Sequence, residues 1–97
     1  MPAARTRTFL SFIAANIRAR RVRQGKTQEQ IAEAARLDLR HYQRIERGAM
    51  NITIAVLVAI ADALAVKPAI LFRPAKLLPP MRGRPRSRSP RRLPVPA

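Results

Sequence analysis

Apolar residues recur at spacings of three and four from Phe9 to Phe72, so the pattern predicts a succession of helices. The first, over about residues 9–23, places Phe9, Ile13 and Ile17 on one stripe and ends near Gly25. In the second, over about residues 28–36, Ile31 and Ala35 share a face, and Ala32 is small enough to let another helix cross closely. Thr27, with Gln30 three residues on, forms a capping box that satisfies two amide donors at its start. The third helix, over about residues 39–47, opens on Asp38 as N-cap. Leu37 and Tyr42 are placed to staple its first turn, Tyr42 and Ile45 face inward, and Gly48 ends it where a positive φ is wanted. Thr53 caps a fourth helix, over about residues 54–65, with Ile54, Leu57, Ile60, Ala61 and Leu64 directed at the core. Val56, Ala59 and Ala63 are an apolar surplus of the kind that marks a partner surface. Pro68 opens a short fifth helix that closes on Leu71 and Phe72.

The polar side of the third helix carries the first chemistry. Leu39, Arg40, Gln43, Arg44 and Arg47 fall on one stripe. A helix fits the DNA major groove, where Arg and Gln read base edges. A solvated basic face is the plain alternative. The coincidence of cap, small residue, turn, second cap and basic stripe favours DNA reading.

The run Gly25-x-Thr27-Gln28-Glu29-x-Ile31-Ala32, then Leu37-Asp38, then Ile45-Glu46-Arg47-Gly48, resembles the lambda-repressor-like (Cro-type) helix-turn-helix family. The resemblance extends over about residues 9–72, and Asn51 through Val66 with Leu71 and Phe72 looks like that family's fourth and fifth helices. The Leu-Asp and Glu-Arg-Gly pieces, with Asn51 following, look especially like the controller proteins of restriction–modification systems. The stripe gives Arg40, Gln43 and Arg44 as base-reading candidates, and the resemblance adds Leu39, which stands at a base-reading position where the family has a polar residue and can touch thymine methyls. It implies phosphate contacts from Thr27 and Gln28, with Arg47 and Asn51 as further candidates. It also implies that Arg21 pairs with Glu46, which on an apolar face would be costly unpaired. The sequence departs from the family at Arg36, where a glycine is usual because the turn needs positive φ; a non-glycine residue there costs on the order of a kcal/mol. Tyr42 replaces an aliphatic residue, and its hydroxyl requires a partner or an outlet to water.

Charge sharpens this picture. The 97 residues carry a net charge of +15, which calls for a polyanionic partner. Residues 1–72 hold 12 Lys/Arg and 5 Asp/Glu, whereas residues 73–97 hold 8 Lys/Arg and no acid. That last segment also contains 7 of the 9 prolines and has almost no helical periodicity, so it is expected to be a disordered basic tail, read equally as a phosphate-binding segment without base preference or as a solubilising one. With four aromatics in the chain, a stacking platform for single strands has little support. Residues 1–8 read as a disordered arm.

Other chemistry is thinly represented. There is no cysteine and a single histidine, His41, so neither a metal site nor a disulfide is expected. The three glycines are isolated, which gives no phosphate-cradling loop, and neither a cofactor nor a catalytic residue is expected. The apolar run of 13 residues from Ile54 contains Asp62 and is short of the roughly 20 needed to span a membrane. No convincing cleavage site follows the apolar residues near position 10, so secretion is not expected and a cytoplasmic, nucleoid-associated location is. The expectation is an all-α protein: a compact five-helix lambda-repressor-like domain over residues 9–73, flanked by the arm at 1–8 and the tail at 74–97. It would act as a dimeric regulator bound to double-stranded DNA, not as an enzyme. The competing readings are an antitoxin-like protein-interaction module and a non-specific nucleic-acid binder driven by the tail.

Overall fold

The computed structural model describes residues 3–77. They form α1 (Ala4–Arg23), α2 (Gln28–Ala34), α3 (Leu39–Glu46), α4 (Ile54–Ala63) and a closing 3₁₀ turn (Pro68–Phe72), with no strand among the described residues. The all-α expectation holds, with the fifth helix reduced to a single 3₁₀ segment opened by Pro68, whose fixed φ suits a helix start.

Three helix starts are set by side chains. Thr27 Oγ1 accepts from the backbone N–H of Gln30 while the Thr27 N–H donates to Gln30 Oε1, which completes the capping box of α2. Asp38 accepts from the N–H groups of Arg40 and His41, and Thr53 Oγ1 from that of Val56. The four α-helices also end alike. In each, the residue after the C-cap has positive φ, and the two amides that follow the cap turn back onto the last carbonyls. Glycine fills that position after α1 (Gly25) and α3 (Gly48), but Arg36 fills it after α2 (φ 59°) and Ala65 after α4 (φ 58°). The turn between α2 and α3 is therefore built as a glycine would build it, with the strain carried by Arg36. These closures also account for helices two residues shorter than expected at the end of α2 and α4 and one shorter at the end of α3.

Two expectations at the N-terminus are corrected. α1 begins at Ala4, so residues 4–8, expected as a disordered arm, are helical; each residue added to a packed helix gains a backbone bond at little further cost. Ile13 and Ile17 are buried as expected, together with Leu10, Ala14 and Ala15, whereas Phe9 is half-exposed with its ring edge-on to Phe12. On α4, Leu57, Ile60, Ala61 and Leu64 are buried as expected, whereas Ile54 at the first turn is 69% exposed. The core joins Ile13, Ile17, Ile31, Ala32, Tyr42, Ile45, Leu57, Ile60, Leu64 and Leu71 from every element. Gln24 donates to the Leu64 carbonyl across it (2.8 Å). The packed chain runs on to Leu77, four residues past the expected boundary at Arg73; the rest of the expected tail, residues 78–97, and residues 1 and 2 lie outside the described residues.

Candidate nucleic-acid interface

α3 has two chemically distinct sides. Tyr42, Ile45 and Glu46 are buried, whereas Arg40, Arg44 and the C-cap Arg47 are exposed. Gln43 and His41 lie between, partly exposed. Leu39 is also partly exposed but packs against the core, so only part of its side chain is available to a ligand. Arg40 and Arg44, four apart, therefore stand one above the other on the open side.

The buried side is held by a polar network. Glu46 accepts from Arg21 Nε and Nη2, from the Tyr42 hydroxyl (2.6 Å) and from Gln28 Nε2 (3.0 Å). Arg21 Nη1 donates in turn to the Lys26 carbonyl (2.8 Å). One carboxylate thus ties α1, α2 and α3 together, and the pairing expected from Arg21 and Glu46 is present. Burial alone would raise the Glu46 carboxyl; donation from Arg21, Tyr42 and Gln28 outweighs it and holds the group below the ordinary carboxylate range. The hydrogen bond to Glu46 raises Arg21 in the same exchange. Burial, then donation to Glu46, pushes the Tyr42 hydroxyl up, so the phenol stays neutral.

The network reaches the surface through two amides. Gln43 Nε2 donates to Gln28 Oε1 (3.1 Å), so one expected base-reading residue is braced by one expected phosphate-binding residue. Thr27 stands beside them, its hydroxyl engaged in the cap of α2. Asn51 is exposed in the loop that follows α3. What sequence reasoning missed is the fourfold role of Glu46. The i to i+4 spacing of Tyr42 and Glu46 was the available signal, whereas the approach of Gln28 follows only from the packing of α2 on α3. Asn16, which donates to the Leu71 and Arg73 carbonyls, left no signal in the pattern. Among the described residues no cluster could hold a metal ion, and no helix is long and apolar enough to cross a membrane.

Two capped helices joined by a tight turn, the second with a basic exposed side, define a helix-turn-helix protein. A helix-turn-helix family model matches residues 17–71. The chain belongs to this family, the XRE-type helix-turn-helix regulators that bind DNA. No curated protein sequence matches it. Among solved structures it is similar to the restriction–modification controller protein C.AhdI from Aeromonas hydrophila (30% identity, 65% of this chain and 96% of that one, TM-score 0.63). It is also similar to the hypothetical transcription factor NHTF from Neisseria (30% identity, 71% and 78%, TM-score 0.67). A further similar structure is the restriction–modification controller protein C.Esp1396I (34% identity, 66% and 83%, TM-score 0.61).

Proposed function

We propose that this DNA-binding regulator is sequence-specific and reads the major groove of duplex DNA with α3. The observation that carries the reading is the two-sided helix: Arg40 and Arg44 exposed on one side, the other locked by the Glu46 network. Arg40 and Arg44 take guanine O6 and N7, Gln43, braced by its hydrogen bond to Gln28, takes an adenine, and Leu39 offers its exposed part to a thymine methyl. Thr27, Gln28, Arg47 and Asn51 meet phosphates on either side and fix the register. A braced side chain loses less freedom on binding than a mobile one, which is the contribution of the network to recognition.

Two copies bind together. Ile54 and Val58, one turn apart on α4, and Phe72 are exposed apolar side chains, and a second copy of the chain is the partner that would cover them. A twofold pair places two α3 helices in successive grooves, about 34 Å apart. Promoter occupancy is then the regulatory act, as the similarity to controller proteins and a transcription factor supports. Substituting Arg44→Ala tests the reading: it should relax the preference at particular base pairs by about 1–3 kcal/mol. A uniform loss over all sequences would make Arg44 a phosphate contact only. Recovery of a 1:1 complex with an acidic protein in place of a homodimer would favour the interaction-module reading.

A further inference from the structure

The donors and acceptors that Gln43 can offer a ligand are set from the buried side of α3. Glu46 Oε1 accepts from Gln28 Nε2 (3.0 Å). An ionised carboxylate has no proton to give, so Gln28 can meet it only with its NH₂ group. That leaves Gln28 Oε1 for Gln43, whose Nε2 donates to it (3.1 Å). Gln43 has therefore spent one N–H on Gln28 and keeps its Oε1, an acceptor, and one further N–H. One buried charge fixes the sense of two amides in succession.

Magnitudes decide how firmly. Reversing Gln28 would set an amide oxygen against a carboxylate on a residue only 4% exposed. A hydrogen bond to a charged group favours the observed sense roughly 10- to 150-fold. The link between the two neutral amides is weaker, roughly 2- to 12-fold, so it limits how much of the bias reaches Gln43. Adenine offers an N6 donor beside the N7 acceptor, which matches the acceptor and donor that Gln43 retains. Guanine offers acceptors at both O6 and N7, which would call for two N–H donors.

We propose that Glu46 and Gln28 are specificity-determining positioning residues: through this relay they make Gln43 select adenine over guanine at one base pair. The proposal rests on the reading of α3 as the helix that reads bases. It also makes a directional claim. In Glu46→Gln the single amide oxygen stays with Arg21 Nε and the Tyr42 hydroxyl, the two shortest contacts of Glu46. The new NH₂ group then faces Gln28, both downstream amides reverse, and Gln43 offers two donors.

The test measures affinities of the full chain for duplexes that differ at single base pairs of its selected site. Each preference is a ratio taken on one protein preparation, so a smaller folded fraction cancels. Gln43→Ala locates the pair that Gln43 reads. At that pair Gln28→Met should lower the adenine-to-guanine ratio about 2- to 12-fold, and Glu46→Gln should move the preference towards guanine. Preferences at the other pairs should stay as they are. In the Gln28→Met background Glu46→Gln should have no further effect on the ratio, because the relay is already cut. An adenine preference that Gln28→Met or Glu46→Gln leaves unchanged, or a further effect in the double variant, would overturn the relay. So would a guanine preference in the unaltered protein. If Gln43→Ala alters no base preference, the reading of Gln43 as a base contact falls instead, and the relay with it.

Discussion

Replacing Arg21 with alanine probes the joint between the scaffold and the reading helix. Arg21 supplies two of the four donors to Glu46, whose side chain is only 3% exposed. Charge-assisted hydrogen bonds contribute roughly 1.5–3 kcal/mol each, and stranding one partner of a buried ion pair costs about 3–5 kcal/mol. Tyr42 and Gln28 still donate to the carboxylate, so about 3 kcal/mol is expected, at the low end of that range. For a domain of this size such a loss lowers Tm by about 12–24 °C. Thermal melts give the shift, and the double variant R21A/E46Q separates the pair from packing: with the charge removed, the second substitution should recover at least about 1 kcal/mol relative to additivity. A Tm within a few degrees of the unaltered protein, or fully additive effects, would refute the claim that this pair locks α1 to α3.

The remaining predictions concern the helix ends and pH. Arg36→Gly and Ala65→Gly should each stabilise the fold, because both positions have positive φ; the net gain is about 0.5–1 kcal/mol after the larger chain entropy of unfolded glycine, read from urea midpoints. Gly48→Ala should cost more than Gly25→Ala. Both residues have positive φ, but a Cβ at Gly48 meets Leu77 at 3.3 Å while one at Gly25 meets nothing within 4 Å, so equal losses in the same urea titration would refute the Leu77 contact. The Glu46 carboxyl is held below its ordinary value, so the stability it supplies is present in full above about pH 4.3 and is lost as pH falls further. Acid titration of the urea midpoint should show a steeper fall for the unaltered protein than for Glu46→Gln; parallel curves would refute it.

What could be read in the sequence was local. The Thr27 and Gln30 capping box, the Asp38 and Thr53 caps and the Gly48 stop each depend on residues a few positions apart, and each stands in the structure. The pairing of Arg21 with Glu46 was legible only through family resemblance, because nothing in the spacing brings residue 21 to residue 46. The misreadings have two causes. Phe9 and Ile54 fit a helical stripe, but Ile54 opens α4, where little packs over it, and Phe9 lies at the edge of the face that buries Leu10 and Ile13; position on a stripe does not fix depth. The extra turn of α1 was hidden because arginine and threonine look the same in an arm and on an exposed helix. Leu77 is one of several apolar residues in a proline-rich run, and its seat against Gly48 depends on tertiary packing.

The most direct test of the account is selection of duplex DNA from a random pool by the full chain, at a low and a high salt concentration. A twofold-symmetric site, with half-sites about one DNA turn apart and still enriched at high salt, is the predicted result. Binding that vanishes at high salt with no enriched sequence would contradict it, because charge alone would then account for DNA binding and α3 would read nothing.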